Sequence, residues 1–414
     1  MRLAITCNGP GEFAGWVRPL AYALYARDPE LDLSLIFTPD DYASGREADL
    51  ARTLFPQAHV VNPSAYVRFA LGGDRAGLPD RVDAVLLLGG DLMHAARVHA
   101  RLGGRLYSYK FASHRFAKRL VRVFAVDEKN VEAVKRCGVT AEKIEWIGNL
   151  AIDGALGEAE GRFVSCASSP AIPEGGLLIM PGVRRAEIAN LVSFFLQTAV
   201  RLRTILPDLP IAFGIAPFTT REQLERALEG GGDWRMWGAR GRVVSSSGGE
   251  AIESLTHEGM RFPIVRDAMR VARAAACVLT IPGTKCIELA ALGVPAVVCI
   301  PTNAPELVAI NGPLTYLDRI PKIGPVLKRA IVLRYAAHFE ARFRYFAQPN
   351  IDAGAMLMPE LRGTLTPGYV AARVAEYLAD DVARTLAAHR LRALYADHVG
   401  ASERLARSLM ESLS

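Results

Sequence analysis

Residues 280–298 read TIPGTKCIELAALGVPAVV, and the order of signals in this stretch decides the fold class. The β-like run ACVLT meets a Pro-Gly-Thr turn, the helical run KCIELAALG follows, and PAVVCI forms a second strand. Strand, tight turn, short helix and strand make a βαβ unit, the building block of a parallel sheet. One glutamate, Glu288, sits in that otherwise apolar helix, where an unpaired carboxylate is costly. It needs a partner, from the protein or from a ligand.

The same alternation runs outward in both directions. Before it, RLAITC, LDLSLIF, AHVV, AVLLLGG, RLYSY, VRVFAV and IEWIG read as strands, with helical patterns such as GWVRPLAYALYARD and EKNVEAVKRCG between several of them. The stretch 157–176, rich in Gly, Ser and Pro, reads as a linker. Alternation then restarts with GLLIM, the long helical run RAEIANLVSFFLQTAVRLRTIL, and IAFGIA. The last residues are helical throughout. The expected architecture is α/β, with two Rossmann-like parallel-sheet domains at 1–160 and 175–378 facing a cleft, followed by a helical tail at 379–414.

Composition excludes several classes. A chain of 414 residues, 50% hydrophobic and 22% charged, has material for two or three cores and is not disordered. Its six cysteines never fall in a C-x-x-C spacing, which argues for reduced thiols and against a structural zinc. MRLAITCNGPGEF has too short an apolar run for a secretion signal, and no stretch reaches the ~18–20 apolar residues of a spanning helix. A cytoplasmic protein is expected. The net charge of +6 is concentrated: residues 92–126 hold eight basic side chains and no acidic one, and 318–346 hold seven against Asp318 and Glu340. Apolar and aromatic residues interleave with them, the mixture that suits an anionic membrane surface; no base-reading motif points to nucleic acid.

Ligands of open α/β sheets bind at the carboxyl ends of strands, so the loops there are the candidates. After the first strand, NGPGEFAGWVRP holds Glu12 on a glycine-rich loop before a helix, without the G-x-G-x-x-G spacing of a dinucleotide site. After AVLLLGG comes Asp91, either a general base or a helix N-cap, with His94 close behind. After GLLIM, PGVRRAEIANL puts Arg184 at a helix entry, where a cation opposes the helix dipole unless an anion offsets it. In the opening stretch, Gly283 and Thr284 offer donors to a phosphate, and Glu288 could accept from ribose hydroxyls or pair with a protein cation.

Three of these segments, LLIMPGVRRAEIANL, LTIPGTKCIELAALGVPAVV and YFAQPNIDAGAMLMPEL, resemble in order and spacing the lipid-A-disaccharide synthase signatures L-P-G-S-R-x-x-E-I, S-G-T-A-T-L-E and L-P-N-x-x-A-G…P-E. The resemblance implies a two-domain GT-B fold and an inverting glycosyltransferase that moves an acylated glucosamine from a UDP-sugar to a membrane glycolipid, needing neither metal nor separate cofactor. It implies that Arg184, Gly283, Thr284, Glu288 and Asn350 hold UDP, and that Asp91 is the nearest candidate for the catalytic aspartate. The family's D-x-x-D-F-N is reduced here to GGDLMHA, so His94 competes with Asp91, and Glu12 is the third candidate catalytic group. The family opens with G-E-x-S-G-D, whereas this chain has Ala14 and Trp16 where Ser and Asp stand. The donor-side carboxylate and Arg survive, although Val183 stands in place of Ser and Pro282 and Lys285 replace the small residues of S-G-T-A, and the acceptor side has changed.

The function expected is transfer of a hexosamine from a UDP-sugar to a glycolipid acceptor, by an enzyme lying on the inner face of the cytoplasmic membrane through the two basic stretches. A homodimer is compatible with the sequence. A UDP-sugar 2-epimerase and a non-catalytic glycolipid-binding protein are the alternatives.

Overall fold

The computed structural model describes residues 1–40, 43, 45–163, 174–246, 252–303 and 344–413. Two compact units emerge, one made of residues 1–157 and 395–414, the other of 158–394. Half of the expected linker (164–173), including Cys166, and most of the second basic stretch (318–343) lie outside the described residues.

The first unit is built on seven parallel strands: β1 (Arg2–Cys7), β2 (Asp32–Phe37), β3 (His59–Val61), β4 (Ala84–Leu87), β5 (Arg105–Tyr109), β6 (Leu120–Ala125) and β7 (Ile144–Trp146). All seven were legible as apolar runs because a parallel sheet is covered on both faces; Leu3, Ala4 and Ile5 of β1 are fully buried, as are Val85 and Leu86 of β4. Their order is β3-β2-β1-β4-β5-β6-β7. The chain first winds one way from β1 and then, at β4, the other, so β1 and β4 flank a topological switch point. Leu87, Leu92, Val98, Tyr66, Phe69 and Val123 share one core of this unit.

The second unit has eight strands: β8 (Leu177–Ile179), β9 (Ile211–Gly214), β10 (Arg242–Ser245), β11 (Glu253–His257), β12 (Met260–Val265), β13 (Cys277–Thr280), β14 (Ala296–Pro301) and β15 (Glu360–Gly363), in the order β10-β11-β12-β9-β8-β13-β14-β15. Here the switch point lies between β8 and β13. The helix Arg185–Ile205 turns Ile188, Val192, Phe195, Leu196, Ala199 and Leu202 inward, a spacing that keeps one face on the core shared with Phe213, Phe262 and Val370. Each such side chain removed from water contributes about 2 kcal/mol.

Two expectations need correction. The second sheet is not wholly parallel: β11 pairs antiparallel with both β10 and β12, and the β11–β12 hairpin closes on Glu258 and Gly259, both at positive φ. The sequence hid these strands because they are short, polar on alternate residues, and interrupted by Pro263. The tail 379–414 is not one element. The helix Asp381–Leu394 belongs to the second unit, whereas Ala401–Glu411 belongs to the first. Asp153 anchors the latter, accepting the amides of Gly400 at 2.7 Å and Ser402 at 2.6 Å. Arg122 and Ser408 meet on Glu145, and Arg105 donates to the Ser412 carbonyl.

Asp153→Ala removes a charged acceptor from two helix N-terminal amides and is expected to cost about 2 kcal/mol in urea denaturation, with faster proteolysis beyond residue 395. Unchanged stability and unchanged cleavage would mean that the helix docks without this cap.

Candidate active site

In the first unit, Asn8 and Gly9 leave the end of β1, and a helical turn (Pro10–Glu12) runs through a π-helical turn (Phe13–Val17) into the helix Arg18–Arg27. That turn places the Glu12 carboxylate across the switch point, against the backbone that continues from β4. A Cβ at Gly89 would overlap the Glu12 carboxylate where it now lies, so glycine leaves the room for this approach and a larger residue would push the carboxylate aside. Glu12 Oε2 is buried with no hydrogen-bond partner among the described residues. Burial raises the Glu12 carboxyl to about 7, the charge of Asp40 adds to this, and the nearby amides of Gly90, Gly9 and Asn8 pull the other way. Burial likewise pushes up the Cys7 thiol, with Glu12 and Glu47 contributing.

Asp91 comes directly after Gly89 and Gly90. Its Oδ1 accepts the Met93 amide at 2.6 Å, so its observed role is the N-cap of the helix Leu92–Leu102. His94 lies in the first turn of that helix, with Nδ1 2.7 Å from the Tyr66 hydroxyl. Burial lowers the His94 pKa while Asp91 opposes the shift, and burial raises the Tyr66 hydroxyl to about 12. A protonated phenol donating to Nδ1 selects the tautomer with its proton on Nε2. When Tyr66 donates, His94 offers a donor at Nε2; when Tyr66 accepts, Nε2 is the acceptor. Tyr66 was not marked by any sequence signal, since it comes from another helix, Pro63–Ala70.

In the second unit, the loops after β8 and β13 stand side by side at the switch point, tied by the Thr280 hydroxyl donating to the Met180 carbonyl at 3.1 Å. Arg184 is the N-cap of the helix Arg185–Ile205, as its position predicted. The anion that offsets the helix dipole is supplied by the chain itself: Glu187 Oε2 accepts the amides of Val183 at 2.9 Å and Arg184 at 3.0 Å, and Oε1 lies 3.7 Å from the Arg184 guanidinium. Gly283 and Thr284 are exposed at the start of the helix Thr284–Leu292.

Glu288 is 4% exposed, and its partner is Lys285, whose ammonium is 2.6 Å from Oε2. The cation lies three residues earlier on the same helix, where side chains meet. Any ribose hydroxyl on Glu288 would share the carboxylate with this lysine. Asn350 requires a correction. Its Nδ2 donates to the Met358 carbonyl at 2.7 Å and to Glu360 Oε1 at 2.9 Å, and its Oδ1 accepts the amides of Leu357 and Met358, both at 2.8 Å. That exhausts the amide's usual capacity, so Asn350 clamps the loop and does not reach a ligand with its side chain. The P-N…P-E spacing is thus explained internally: Asn350 and Glu360 bond to each other.

The basic stretch 92–126 is partly spent inside its unit. Arg97 donates to the Ala70 carbonyl, Arg101 to the Phe69 carbonyl, Arg105 to Ser412, and Arg122 pairs with Glu145. Arg115, Lys118 and Arg119 are exposed, beside the half-exposed Phe111 and Val121. No helix among the described residues is long and apolar enough to cross a membrane.

No family model matches the chain. Over 327 residues, 77% of this chain and 70% of the relative, it is 24% identical to a lipid-A-disaccharide synthase of Geobacter sulfurreducens. Among solved structures it is similar to the UDP-GlcNAc 2-epimerase of Neisseria meningitidis bound to UDP-GlcNAc (TM-score 0.53, 11% identity, 99% of this chain and 100% of that one). It is also similar to the glycotransferase of kitacinnamycin (TM-score 0.52, 14% identity, 100% of this chain and 98% of that one). The fold is GT-B, with two α/β units and a helical C-terminal end.

A carboxyl whose pKa is raised by folding favours the folded state at low pH, and the advantage is lost as pH rises through the folded value. Glu12→Gln is therefore expected to stabilise the protein relative to wild type by about 3 kcal/mol at pH 8 and by far less at pH 5, measured by urea denaturation. A difference independent of pH would show that Glu12 titrates normally.

Proposed function

We propose that this chain is a UDP-sugar-dependent glycosyltransferase that moves a hexosamine, with inversion, to an anionic glycolipid acceptor. The observation that carries the reading is the division of chemistry between the two switch points. In the first unit a carboxylate with no cationic partner among the described residues is held near neutral pKa, as a general base requires. In the second, Arg184, Gly283 and Thr284 gather cationic and amide donors at the ends of β8 and β13, as a diphosphate requires. The likeness to lipid-A-disaccharide synthase supports the lipid acceptor, and the exposed Arg115, Lys118 and Arg119 supply a surface for anionic headgroups.

In this mechanism Glu12 takes the proton of the acceptor hydroxyl as its oxygen attacks C1 of the donor sugar. The bond from C1 to the diphosphate breaks from the opposite face, and UDP leaves with the bonding pair. Arg184 and the amides of the Thr284–Leu292 helix stabilise the charge that develops on it. His94, held by Tyr66, donates from Nε2 to a sugar or acceptor oxygen, and Asp91 fixes the helix that carries it. The enzyme works on the inner face of the cytoplasmic membrane.

Epimerisation of a UDP-sugar is the second reading, because UDP-GlcNAc 2-epimerases share the fold. Incubation of UDP-GlcNAc with and without a total lipid extract separates the two, when the lipids are read by mass spectrometry and the nucleotide sugar, whose C2 epimer has the same mass, by proton NMR. Transfer predicts a lipid heavier by one hexosamine and free UDP, only with lipid present. Turnover should rise with pH through about 7 as Glu12 ionises, and Glu12→Gln should lower it roughly 10²–10⁴-fold. A C2 epimer formed without lipid would replace this reading by the second.

A further inference from the structure

The chain holds four tryptophans, and two of them fall in one loop of the second unit, WRMWGARGR at 234–242, between the helix Arg221–Gly230 and β10. The loop is clamped. Asp233 accepts the Arg235 amide at 2.9 Å and holds the Arg235 guanidinium through both oxygens, at 2.8 and 2.6 Å. Asn303 donates to the Arg235 carbonyl at 3.0 Å, and the Ala239 amide donates to the Ser193 carbonyl of the helix Arg185–Ile205 at 2.9 Å. Met236 points into the core. Its two flanking groups go the other way: Trp237 is 48% exposed, and Trp234, two residues before Met236, is 80% exposed. Trp237 has φ +50, a left-handed position rare for a bulky residue, and glycine would meet it without strain. What the loop delivers is the pair of indoles.

Neither indole has a hydrogen-bond or ring partner among the described residues. With Met236 in the core and the Arg235 backbone held, the loop cannot roll its aromatic rings inward, so apolar surface stays in contact with water. The charge beside it has one sign. No acidic residue occurs from 234 to 249, and Arg240 and Arg242 are exposed with no carboxylate partner among the described residues. Arg235 is set apart, since Asp233 neutralises it. An indole is an apolar ring with one donor, which fits the boundary between lipid headgroups and acyl chains. An unpaired arginine next to it fits an anionic headgroup.

We infer that the loop 234–242 anchors the second unit to an anionic bilayer, with Trp234 and Trp237 entering at headgroup depth and Arg240 and Arg242 meeting the headgroups. The inference rests on the loop alone and holds whichever reaction the site performs. The full chain should be mixed with vesicles of phosphatidylcholine alone, and of equal parts phosphatidylcholine and phosphatidylglycerol, both with brominated acyl chains that quench an indole at close range. Wild-type fluorescence should be quenched by the anionic vesicles and not by the neutral ones. Trp234→Ala with Trp237→Gly should lose that quenching, with a melting temperature unchanged or raised. Arg240→Gln with Arg242→Gln should weaken binding to the anionic vesicles roughly tenfold or more and keep the quenching at saturation. Wild type that sediments with anionic vesicles unquenched, or quenching that survives in the tryptophan variant, overturns the anchor. Equal quenching by neutral vesicles overturns the anionic assignment. A mass in light scattering that halves in the tryptophan variant would make this face a contact between copies, and overturns the bilayer as its partner. Failure of lipid transfer with the loop-dependent quenching intact would fault the glycosyltransferase reading and leave the anchor standing.

Discussion

The contact on which the first unit depends is the approach of the Glu12 carboxylate to the Gly89 and Gly90 backbone across the β1/β4 switch point. It uses the room that glycine leaves at position 89, the π-helical turn that follows Glu12 at the carboxyl end of β1, and burial that leaves Oε2 without a partner among the described residues. No cation among those residues pairs with it, and burial raises its pKa to about 7. The second unit treats its carboxylates in the opposite way. Glu187 is absorbed by two amides and faces Arg184, Glu288 is held by Lys285, and Glu360 takes the amides of Phe346 and Ala347 together with Asn350 and Arg362. One unit therefore holds one carboxyl near neutrality, and the other pairs Glu187, Glu288 and Glu360 with cations and amides. An enzyme that moves a proton at one place and stabilises a leaving diphosphate at another needs this asymmetry.

Much of the frame was legible because long apolar runs separated by amphipathic helices leave few alternatives to a parallel sheet. Every strand of the first unit and β8, β9, β13 and β14 of the second could be placed this way. The hairpin strands β10 to β12 and the edge strand β15 could not, since each is short and partly polar and draws its stability from its neighbours. The switch-point loops were legible for the same reason as the strands, because each begins where a strand ends.

Pairings between distant residues were not legible. The sequence left Glu288 with either a ligand or a protein cation, and the cation proved to be the nearest lysine on its own helix. Asn350 read as a ligand residue because its motif resembles one, yet four hydrogen bonds commit it to its own loop. The basic run 92–126 read as one surface, but a linear count cannot separate arginines that hold carbonyls and carboxylates from those that face solvent. Tyr66 escaped notice altogether, because it matters through a hydrogen bond made from another helix, whereas Lys110 was read only as one of the eight basic residues of 92–126, and no residue type announces its backbone angle.

Burial in the folded chain raises the Glu12 carboxyl to about 7. Carbon-13 NMR of glutamate-labelled protein, with Glu12→Gln to assign the resonance, measures this directly. The account predicts a titration midpoint near pH 7 for Glu12. A midpoint in the ordinary carboxylate range, about 4–5, would contradict it and remove Glu12 from the proton chemistry.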